Sequence, residues 1–451
     1  MFSRKNNWSV VAILIIVITG FLVDSDFKLW KKTERVIEND VRYYYGYLPA
    51  KYIYKDIKVE RDNYQYSEDG YWFWTKRYES GKYDFGRTYG VALLYSPFFW
   101  AGDAAAKMFE YPVTGFSEPY KYFLLLSALF YMSLGLLIVR KLLLYLKFSD
   151  KVTALTLLLL GLGTNLFAYS TQSGAYPHVY NFFLIAVFIY YSVQWHENGK
   201  SLFSFICISL SYALILLISF ANGVILLFFI FYQWKSFEEL SEKRIPLYQV
   251  LVFFVVVIGV WWPQFDYWKM MTGSILGATD SSEKYFFSEP VFLKGLFSFR
   301  KGWLIYTPAM VLAFIGMIML YFKRRTSFYP VIITSMASLY VTFSWWNWWY
   351  GGSFGQRALV DTYALYAIPL AAFISYLFTK SLPARVAIAG VIGFLIWLNI
   401  FQTYQYEKGS LHYCAMNKKL YLNQFGKLEK VKDFDSLLEF PNDADAKSGN
   451  R

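Results

Sequence analysis

The stretch VVAILIIVITGFLV, residues 10–23, is a nearly continuous run of apolar residues. Comparable apolar runs recur at 154–169, 250–262 and 386–400. Because the hydrocarbon core of a bilayer is about 30 Å thick, a helix needs roughly 20 mostly apolar residues to cross it. Helices also satisfy their own backbone polar groups in lipid. The sequence therefore predicts an all-α, polytopic membrane protein.

The overall composition indicates a membrane protein rather than a soluble one. Of the 451 residues, 56% are hydrophobic and 17% are charged, whereas a soluble domain carries about 25% charged residues. A net charge of +12 would suggest nucleic acid as the partner of a soluble protein, but most Lys and Arg residues lie at predicted inner helix ends. We expect membrane lipids and no nucleic acid as partners. Cys207 and Cys414 form neither a disulfide framework nor a metal cluster.

The lengths of the apolar runs predict about eleven transmembrane helices. The predicted spans are 9–23, 119–139, 152–169, 179–195, 201–219, 223–234, 246–263, 302–322, 328–345, 361–379 and 385–403. Lys and Arg residues concentrate in alternate loops, for example Arg140, Lys243 and Lys323, and the short outer turns near 170–180 and 220–223 carry none. This positive-inside pattern predicts a multi-pass protein of the bacterial inner membrane, with a cytoplasmic N-terminus and a periplasmic C-terminus.

The predicted membrane domain covers 1–403, and its largest outer loop covers 24–118. Segment 88–109 is apolar enough to cross the membrane, but a crossing there would put the later cationic loops outside. We therefore expect an interfacial helix at this segment, together with short amphipathic helices elsewhere in the loop. The outer C-terminal tail, 404–451, is expected to end in disordered residues from Ala444 onward.

An acid beside a Tyr-rich helix is the first candidate for chemistry. Asp40 lies in NDVRYYYGYLP, residues 39–49, and is followed by Tyr43 and Tyr44. A carboxylate near the membrane surface can act as general base towards an acceptor hydroxyl or amine. The alternative is a solvated loop carboxylate or a helix N-cap.

Four cations are predicted beside outer helix ends, where the positive-inside rule disfavours them. They are Arg87, Arg300, Lys301 and Arg357. An anion held at the membrane surface, such as a lipid phosphate, would explain their position, and the forked donors of Arg suit phosphate oxygens. The alternative for Arg87 is an anchor to lipid headgroups.

His178 and a Trp-rich segment supply polar and aromatic groups on the same predicted side. His178 heads a span and could carry a proton, bond a substrate or bind a metal; the alternative is a single satisfied interfacial His, because no second His lies nearby. In WWNWWYGGSFGQR, residues 345–357, the pattern predicts a pocket wall against a sugar ring or, alternatively, an interfacial aromatic belt. The candidates there are Trp348, Trp349, Tyr350 and Gln356.

The layout resembles the GT-C superfamily of membrane glycosyltransferases, which includes protein mannosyltransferases, aminoarabinose transferases and oligosaccharyltransferases. A first span is followed by a large outer loop with an acid near its start and with interfacial helices before the second span. The segments DVRYYYGYLPAKYIYKD, GVALLYSPFF, LGLGTNLFAYST, FSFRKGWLIYTP and SWWNWWYGGSFGQRALVDTYALYAIPLAAF are similar to a group of GT-C-like proteins common in Bacteroidetes. This similarity covers most of 36–380.

The resemblance implies a periplasmic, inverting glycosyltransferase that takes a sugar from a polyprenyl-phosphate donor. Asp40 matches the position of the catalytic Asp of the first outer loop, and Arg87 matches a Lys that heads the interfacial helix in lipid A transferases. The remaining outer cations and aromatic residues would bind the donor phosphate and line the substrate pocket. Val41 stands where many members have Glu, so a divalent metal is not indicated and no cofactor is assigned.

Two other functions are compatible with this topology. A lipid or glycan transporter would need polar residues at mid-membrane, for which Asn165 and Asn222 are modest hints. A non-catalytic subunit of an envelope complex would use the outer loop and the tail to dock an envelope protein partner.

Overall fold

The chain forms a bundle of α-helices in a computed structural model, which describes residues 7–60, 65–67, 70–71, 73–78, 80–234, 245–277 and 283–451. Lys243, a cation of a predicted inner loop, lies outside these residues. In chain order the described α-helices are α1 (Trp8–Phe27), α2 (Asp40–Tyr45), α3 (Tyr47–Tyr52), α4 (Gly90–Met108), α5 (Glu118–Tyr145), α6 (Asp150–Leu162), α7 (His178–Glu197), α8 (Leu202–Ile218), α9 (Leu226–Phe231), α10 (Leu247–Thr272), α11 (Phe292–Phe297), α12 (Trp303–Tyr306), α13 (Ala309–Lys323), α14 (Arg325–Ser344), α15 (Arg357–Val360), α16 (Tyr363–Leu377), α17 (Leu382–Glu407), α18 (Lys418–Gln424) and α19 (Asp443–Ser448).

Short 3₁₀ turns and two small β-hairpins connect the helices. The 3₁₀ segments are Leu29–Lys31, Ala168–Ser170, Phe220–Ile225 and Asp435–Leu437. The antiparallel hairpins, which the sequence did not predict, are β1 (Gln65–Ser67) with β2 (Gly70–Tyr71) and β3 (Lys76–Arg77) with β4 (Tyr83–Asp84). Both lie in the first long loop. The second hairpin leads the chain into α4, at the segment predicted to form an interfacial helix.

Five helices in the described part of the chain are long and apolar enough to cross a membrane: α1, α5, α10, α14 and α17. Large apolar side chains are exposed along three of them, for example Leu14 on α1, Phe254 on α10 and Phe394 on α17. Apolar surface of this extent belongs against lipid rather than water. The prediction of a multi-pass, all-α membrane protein is therefore confirmed, whereas the count of eleven spans stays a prediction.

Close helix contacts build the interior of the bundle. Helix α7 packs between α5 and α8, α1 packs on α6, and α13 packs on α16. At the last contact Gly316 of α13 faces the backbone of α16, where a Cβ would overlap the carbonyl of Pro369. A residue without a side chain is therefore needed for α13 and α16 to approach this closely.

One predicted span is interrupted by a break in the helix. Within the predicted span 302–322, α12 ends at Tyr306 and α13 begins at Ala309, with Thr307 and Pro308 between them. Pro308 has no N–H to continue the helical hydrogen bonds of α12. The hydroxyl of Thr307 donates instead to Oδ1 of Asn165 at 3.2 Å. At the break, this hydrogen bond therefore links the chain to the segment that follows α6.

The C-terminal tail is ordered and packs against the Trp-rich segment. The guanidinium of Arg451 donates to the carbonyls of Ser344 and Trp345 at 3.0 and 3.3 Å, and the ammonium of Lys447 lies 4.7 Å from the ring centre of Trp346. The tail therefore caps the C-terminal end of α14, whose last carbonyls lack partners within the helix. This order corrects the expectation of disorder from 444 to 451.

Candidate functional site

Asp40 and Arg357 form an ion pair although they lie far apart in the sequence. Asp40 is the first residue of α2, and Arg357 is the first residue of α15. Nη2 of Arg357 donates to Oδ2 of Asp40 at 3.1 Å. The Asp40 side chain is 32% exposed and the Arg357 side chain is 13% exposed. The pair is therefore held by the protein on most sides and open to a ligand on one.

The loop before Arg357 is fixed by hydrogen bonds to three other parts of the chain. The amide of Ser353 donates to the carbonyl of Tyr413 at 3.1 Å. The amide of Phe354 donates to the hydroxyl of Tyr169 at 3.1 Å, and its carbonyl accepts from Nδ2 of Asn165 at 3.0 Å. Because Tyr169 and Asn165 are buried and all three partners are distant in sequence, the guanidinium of Arg357 is presented from a rigid support.

Arg87 reaches the same place from the second β-hairpin. Gly86 has a φ of +67°, which favours glycine, and its amide donates to Oδ1 of Asp84 at 2.5 Å. The hydroxyl of Tyr47 donates to the carbonyl of Arg87 at 2.6 Å. These contacts fix the turn that directs Arg87 towards Asp40.

The two guanidinium groups set the ionisation of Asp40. Burial alone would raise the pKa of this carboxyl group, but the charges of Arg357 and Arg87 outweigh that effect and hold the pKa below its usual value. The charge of Asp40 in turn helps to raise the pKa of Arg357 above its ordinary value, against the opposing effect of burial. At neutral pH all three groups are charged, and two cations surround one anion.

Two cavities meet at this ion pair. The first has a volume of about 400 Å³ and the second about 840 Å³, within the range of small-molecule sites. We call the residues that line both cavities the junction; they are Asp40, Arg87, Tyr176, Glu283, Trp345 and Arg357. Among them, Nε1 of Trp345 donates to Glu283 at 2.8 Å. A molecule in either cavity can therefore reach the same charged groups.

The walls of the two cavities differ in chemistry. Apolar side chains form one part of the first cavity wall; they are Leu216, Leu217, Ile218, Phe220, Trp268 and Leu276. Aromatic and polar side chains dominate the second cavity; examples are Tyr169, Trp346, Asn347, Tyr406, Tyr413, Glu38 and Arg35. The first cavity therefore suits a ligand with an apolar part, and the second suits a polar ligand.

A buried hydrogen-bond network that the sequence did not predict lies in the wall of the first cavity. Oδ1 of Asp361 lies 2.7 Å from Nδ1 of His178. Oδ2 accepts from Nδ2 of Asn181 at 2.9 Å and from Nδ2 of Asn222 at 2.6 Å. Two sequence signals point to it: Asn181 follows His178 by three residues, and Asp361 follows Arg357 by four, which are the spacings of neighbours on a helix face.

The predicted aromatic wall is displaced by a few residues along the loop. Trp345 and Trp346 line cavities, whereas Trp348 and Trp349 are 4% exposed and pack in an apolar cluster. Nε2 of Gln356 donates to the carbonyl of Trp348 at 3.0 Å and is fully buried. The structure thus does not bring Trp348, Trp349 and Gln356 to the cavities, because they hold the loop together from within.

The three predicted tyrosines divide between cavity and packing positions. Tyr44 and Tyr350 line the first cavity. Tyr43 instead contacts the edge of Trp74, with ring centres 5.6 Å apart. Tyr44 lies one residue further along α2, which turns its side chain towards the cavity and turns Tyr43 away from it.

Arg300 and Lys301 lie away from the two cavities and bind backbone instead of a ligand. Nη1 of Arg300 donates to the carbonyl of Cys414 at 3.3 Å. The ammonium of Lys301 donates to the carbonyl of Ser353 and is 1% exposed. Burial lowers the pKa of Lys301 to about 7. These two cations therefore attach the tail and the Trp-rich loop to each other, and the structure does not support the predicted contact with donor phosphate.

Metal-ligand side chains are few in the described part of the site. Among the residues that the structure describes, no group of three or more His, Cys, Asp or Glu side chains is positioned to hold one. Asp40 already accepts from Arg357, and His178 already contacts Asp361 through Nδ1. The positive charge beside the carboxylate of Asp40 thus comes from Arg357.

Neither a family model nor a curated protein sequence matches this chain. Among solved structures, the chain is similar to the oligosaccharyltransferase of Archaeoglobus fulgidus. Its apo form aligns with a TM-score of 0.54 at 14% identity. The AglB enzyme in complex with an inhibitory peptide and a dolichol-phosphate aligns with a TM-score of 0.55 at 14% identity. The complex with Zn and sulfate aligns with a TM-score of 0.52 at 17% identity.

These alignments cover nearly all of this chain but only part of its neighbours. They include 97%, 97% and 96% of this chain, and 60%, 60% and 57% of the respective neighbours. The chain therefore spans about 60% of the length of the oligosaccharyltransferases that it matches. At this identity the similarity shows the fold alone, and the chain shares the fold of these oligosaccharyltransferase structures.

Proposed function

We propose that this protein is an inverting glycosyltransferase that moves a sugar from a polyprenyl-phosphate donor to an acceptor on the periplasmic side of the membrane. The observation that carries the proposal is the junction, where the carboxylate of Asp40, paired with Arg357, lies with Arg87 and a second carboxylate, Glu283, between an apolar-walled cavity and a polar one. The GT-C fold and a neighbour complexed with a dolichol-phosphate support a lipid phosphate as the ligand.

The first cavity is the better site for the lipid-linked donor. Its apolar wall offers a surface for the first isoprene units, which gain by leaving water. Arg357 and Arg87 are at the junction end of that wall. An Arg side chain has five N–H donors, so Arg357 keeps donors for a phosphate while it remains bonded to Asp40.

The second cavity is the better site for the acceptor. It has about twice the volume of the first, at about 840 Å³, and its aromatic and polar walls suit a polar molecule. Asp40 lines both cavities, so its carboxylate can meet an acceptor group on one side and the donor on the other. Oδ2 accepts from Arg357, which leaves Oδ1 to take a proton.

The reaction follows from this arrangement. The acceptor oxygen or nitrogen attacks the anomeric carbon as Oδ1 of Asp40 takes its proton. The new bond to the anomeric carbon forms while the bond from that carbon to the phosphate oxygen breaks, and the phosphate leaves with the electron pair. Displacement from the opposite side inverts the anomeric configuration. Arg357 and Arg87 stabilise the charge that grows on the leaving phosphate.

Replacement of Asp40 tests the proposal. We expect Asp40→Asn to lower the rate of sugar transfer from polyprenyl-phosphate sugars by a factor of about 10² to 10⁴ and to leave binding of the donor intact. The measurement is single-turnover transfer in lipid nanodiscs, with donor binding measured in parallel. Full turnover in a folded Asp40→Asn protein would refute the base assignment.

The two alternatives have less support. Asn165 and Asn222, the hints of a transporter, are both engaged in internal hydrogen bonds at 3.0 and 2.6 Å. A non-catalytic subunit would bind an envelope protein over the second cavity. Such a subunit would show no transfer for the wild type in the same assay.

A further inference from the structure

The carboxylate of Asp361 is buried and is compensated by three neighbouring side chains. It is 4% exposed, and an ionised carboxylate at such a position needs hydrogen-bond donors to offset lost hydration. Asn181 and Asn222 supply two donors to Oδ2, and His178 contacts Oδ1. These residues come from α7 and from the 3₁₀ segment Phe220–Ile225, and Asp361 itself lies in the turn between α15 and α16.

This network fixes the tautomer of His178. Only an N–H can face a carboxylate oxygen at 2.7 Å, because a second lone pair there would be repelled. Nδ1 therefore carries the proton, and in the neutral ring Nε2 is then an acceptor. The edge of the ring is also packed against Tyr169, with ring centres 5.0 Å apart, so the orientation of the imidazole is fixed as well.

The acceptor nitrogen is the part of His178 that remains for a ligand. His178 lines the first cavity together with Asp40 and Arg357, and Nδ1 is already bonded to Asp361. A phosphate offers mainly acceptor oxygens and is attracted to Arg357 and Arg87. A neutral Nε2 acceptor instead needs a ligand that presents an O–H or an N–H. The first cavity thus separates a position for an anion from a position for a hydrogen-bond donor.

We propose that His178, oriented by Asp361, forms a sugar subsite in which Nε2 accepts a hydrogen bond from a hydroxyl or amino group of the donor sugar. The subsite rests on the proposed function, because it assigns the sugar and the phosphate of one donor to neighbouring positions in the first cavity. Asp361 acts as a positioning residue through His178. His178 distinguishes a lipid phosphate that bears a sugar from one that does not.

The tautomer is tested by ¹⁵N NMR of the full chain with ¹⁵N-labelled histidine in nanodiscs. The chain has three His residues, and the other two serve as internal controls. Nε2 of His196 contacts the carbonyl of Phe229 at 2.9 Å, and Nδ1 of His412 accepts from the amide of Ala415 at 3.0 Å. Both are therefore Nε2–H tautomers.

We expect one Nδ1–H pattern and two Nε2–H patterns in the neutral wild-type protein. The Nδ1–H pattern should disappear in His178→Gln. In Asp361→Asn it should shift towards Nε2–H, because an amide side chain can donate to Nδ1 as well as accept from it. Three Nε2–H patterns in the wild type, or a protonated His178 ring at neutral pH, would overturn the proposal. The wild-type spectrum decides this even if a variant fails to fold.

The ligand is tested with a polyprenyl monophosphate and with the same lipid bearing glucose, mannose or aminoarabinose. We expect at least one sugar-bearing lipid to bind the wild type about tenfold more tightly than the bare lipid phosphate. His178→Phe should lose this gain and keep the affinity for the bare lipid phosphate. His178→Gln should recover part of the gain, because its side-chain oxygen can accept a hydrogen bond.

The subsite is refuted if no sugar-bearing lipid binds more tightly than the bare one. It is also refuted if His178→Phe weakens both ligands equally, as a purely structural residue would. These results are distinct from a failure of the proposed function. Full transfer by Asp40→Asn would remove the catalytic base and leave the binding difference at His178 in place.

Discussion

At the scale of single residues, the junction pairs the carboxylate of Asp40 with the guanidinium of Arg357, which can also bind a ligand. Partial burial alone would raise the pKa of a carboxyl group at this position. Arg357 keeps Asp40 ionised, so the carboxylate is ready to take a proton at neutral pH. The same guanidinium retains donors for phosphate. The cost is a weaker base, because a lowered pKa reduces proton affinity.

The proposed role of Arg357 in donor binding can be tested by comparing it with a second buried cation, Lys301. We expect Arg357→Ala to weaken binding of a polyprenyl monophosphate by roughly 10- to 100-fold, because hydrogen bonds to charged groups contribute about 1.5–3 kcal/mol. Lys301→Met is the matched control, since Lys301 bonds to Ser353 outside the cavities. Its affinity for the lipid should equal that of the wild type.

Titration of the two purified variants with lipid in nanodiscs provides the measurement. An unchanged affinity in a folded Arg357→Ala protein would remove Arg357 from the phosphate site. A loss confined to Lys301→Met would restore the sequence-based assignment of that residue.

The sequence identified some site residues because their charge conflicts with the predicted topology. Arg87 and Arg357 lie beside predicted outer helix ends, and both reach the junction. Arg300 and Lys301 have the same signal but bind carbonyls of the tail and the Trp-rich loop. The pattern shows that a cation needs a partner, but it cannot tell a ligand from a carbonyl brought near by folding.

At the scale of helices and loops, the length of the apolar runs in the sequence predicts most of the architecture. The long apolar runs became α1, α5, α10, α14 and α17. The break between α12 and α13 was not predicted, because the length of the run at 302–322 was given more weight than Thr307 and Pro308 within it. The β-hairpins were not predicted, because their strands are two or three residues long. The sequence also could not predict which side chains of the Trp-rich loop face the cavities. Residues such as Tyr350, with a φ of +56°, follow neither a helical nor a strand period.

The close approach of α13 and α16 gives a prediction at this scale. Gly316→Ala places a methyl group against the carbonyl of Pro369, and overpacking of this kind costs about 1–3 kcal/mol. We expect its thermal unfolding midpoint in detergent to fall. Gly390→Ala is the control, because a Cβ at Gly390 of α17 meets open space and Ala is the better helix former.

The midpoint of Gly390→Ala should equal or exceed that of the wild type. Equal midpoints for the two variants would show that α13 and α16 do not make this contact.

At the scale of the whole molecule, the site is a product of long-range convergence. The first loop contributes Asp40 and Arg87, α7 contributes His178, and the segment before α16 contributes Arg357 and Asp361. The sequence resemblance anticipated that an acid and cations share one face, but no local pattern specifies the distances. The periplasmic orientation of that face rests on the distribution of Lys and Arg and stays a prediction.

The most direct test of the account is the position of the lipid phosphate in a structure of the wild-type protein with bound polyprenyl monophosphate. We predict that the phosphate lies at the junction, within hydrogen-bond distance of Arg357 or Arg87 (about 3 Å), with the isoprene chain along Leu216–Ile218. A phosphate bound elsewhere, with the Asp40–Arg357 pair remote from the lipid, would contradict the account.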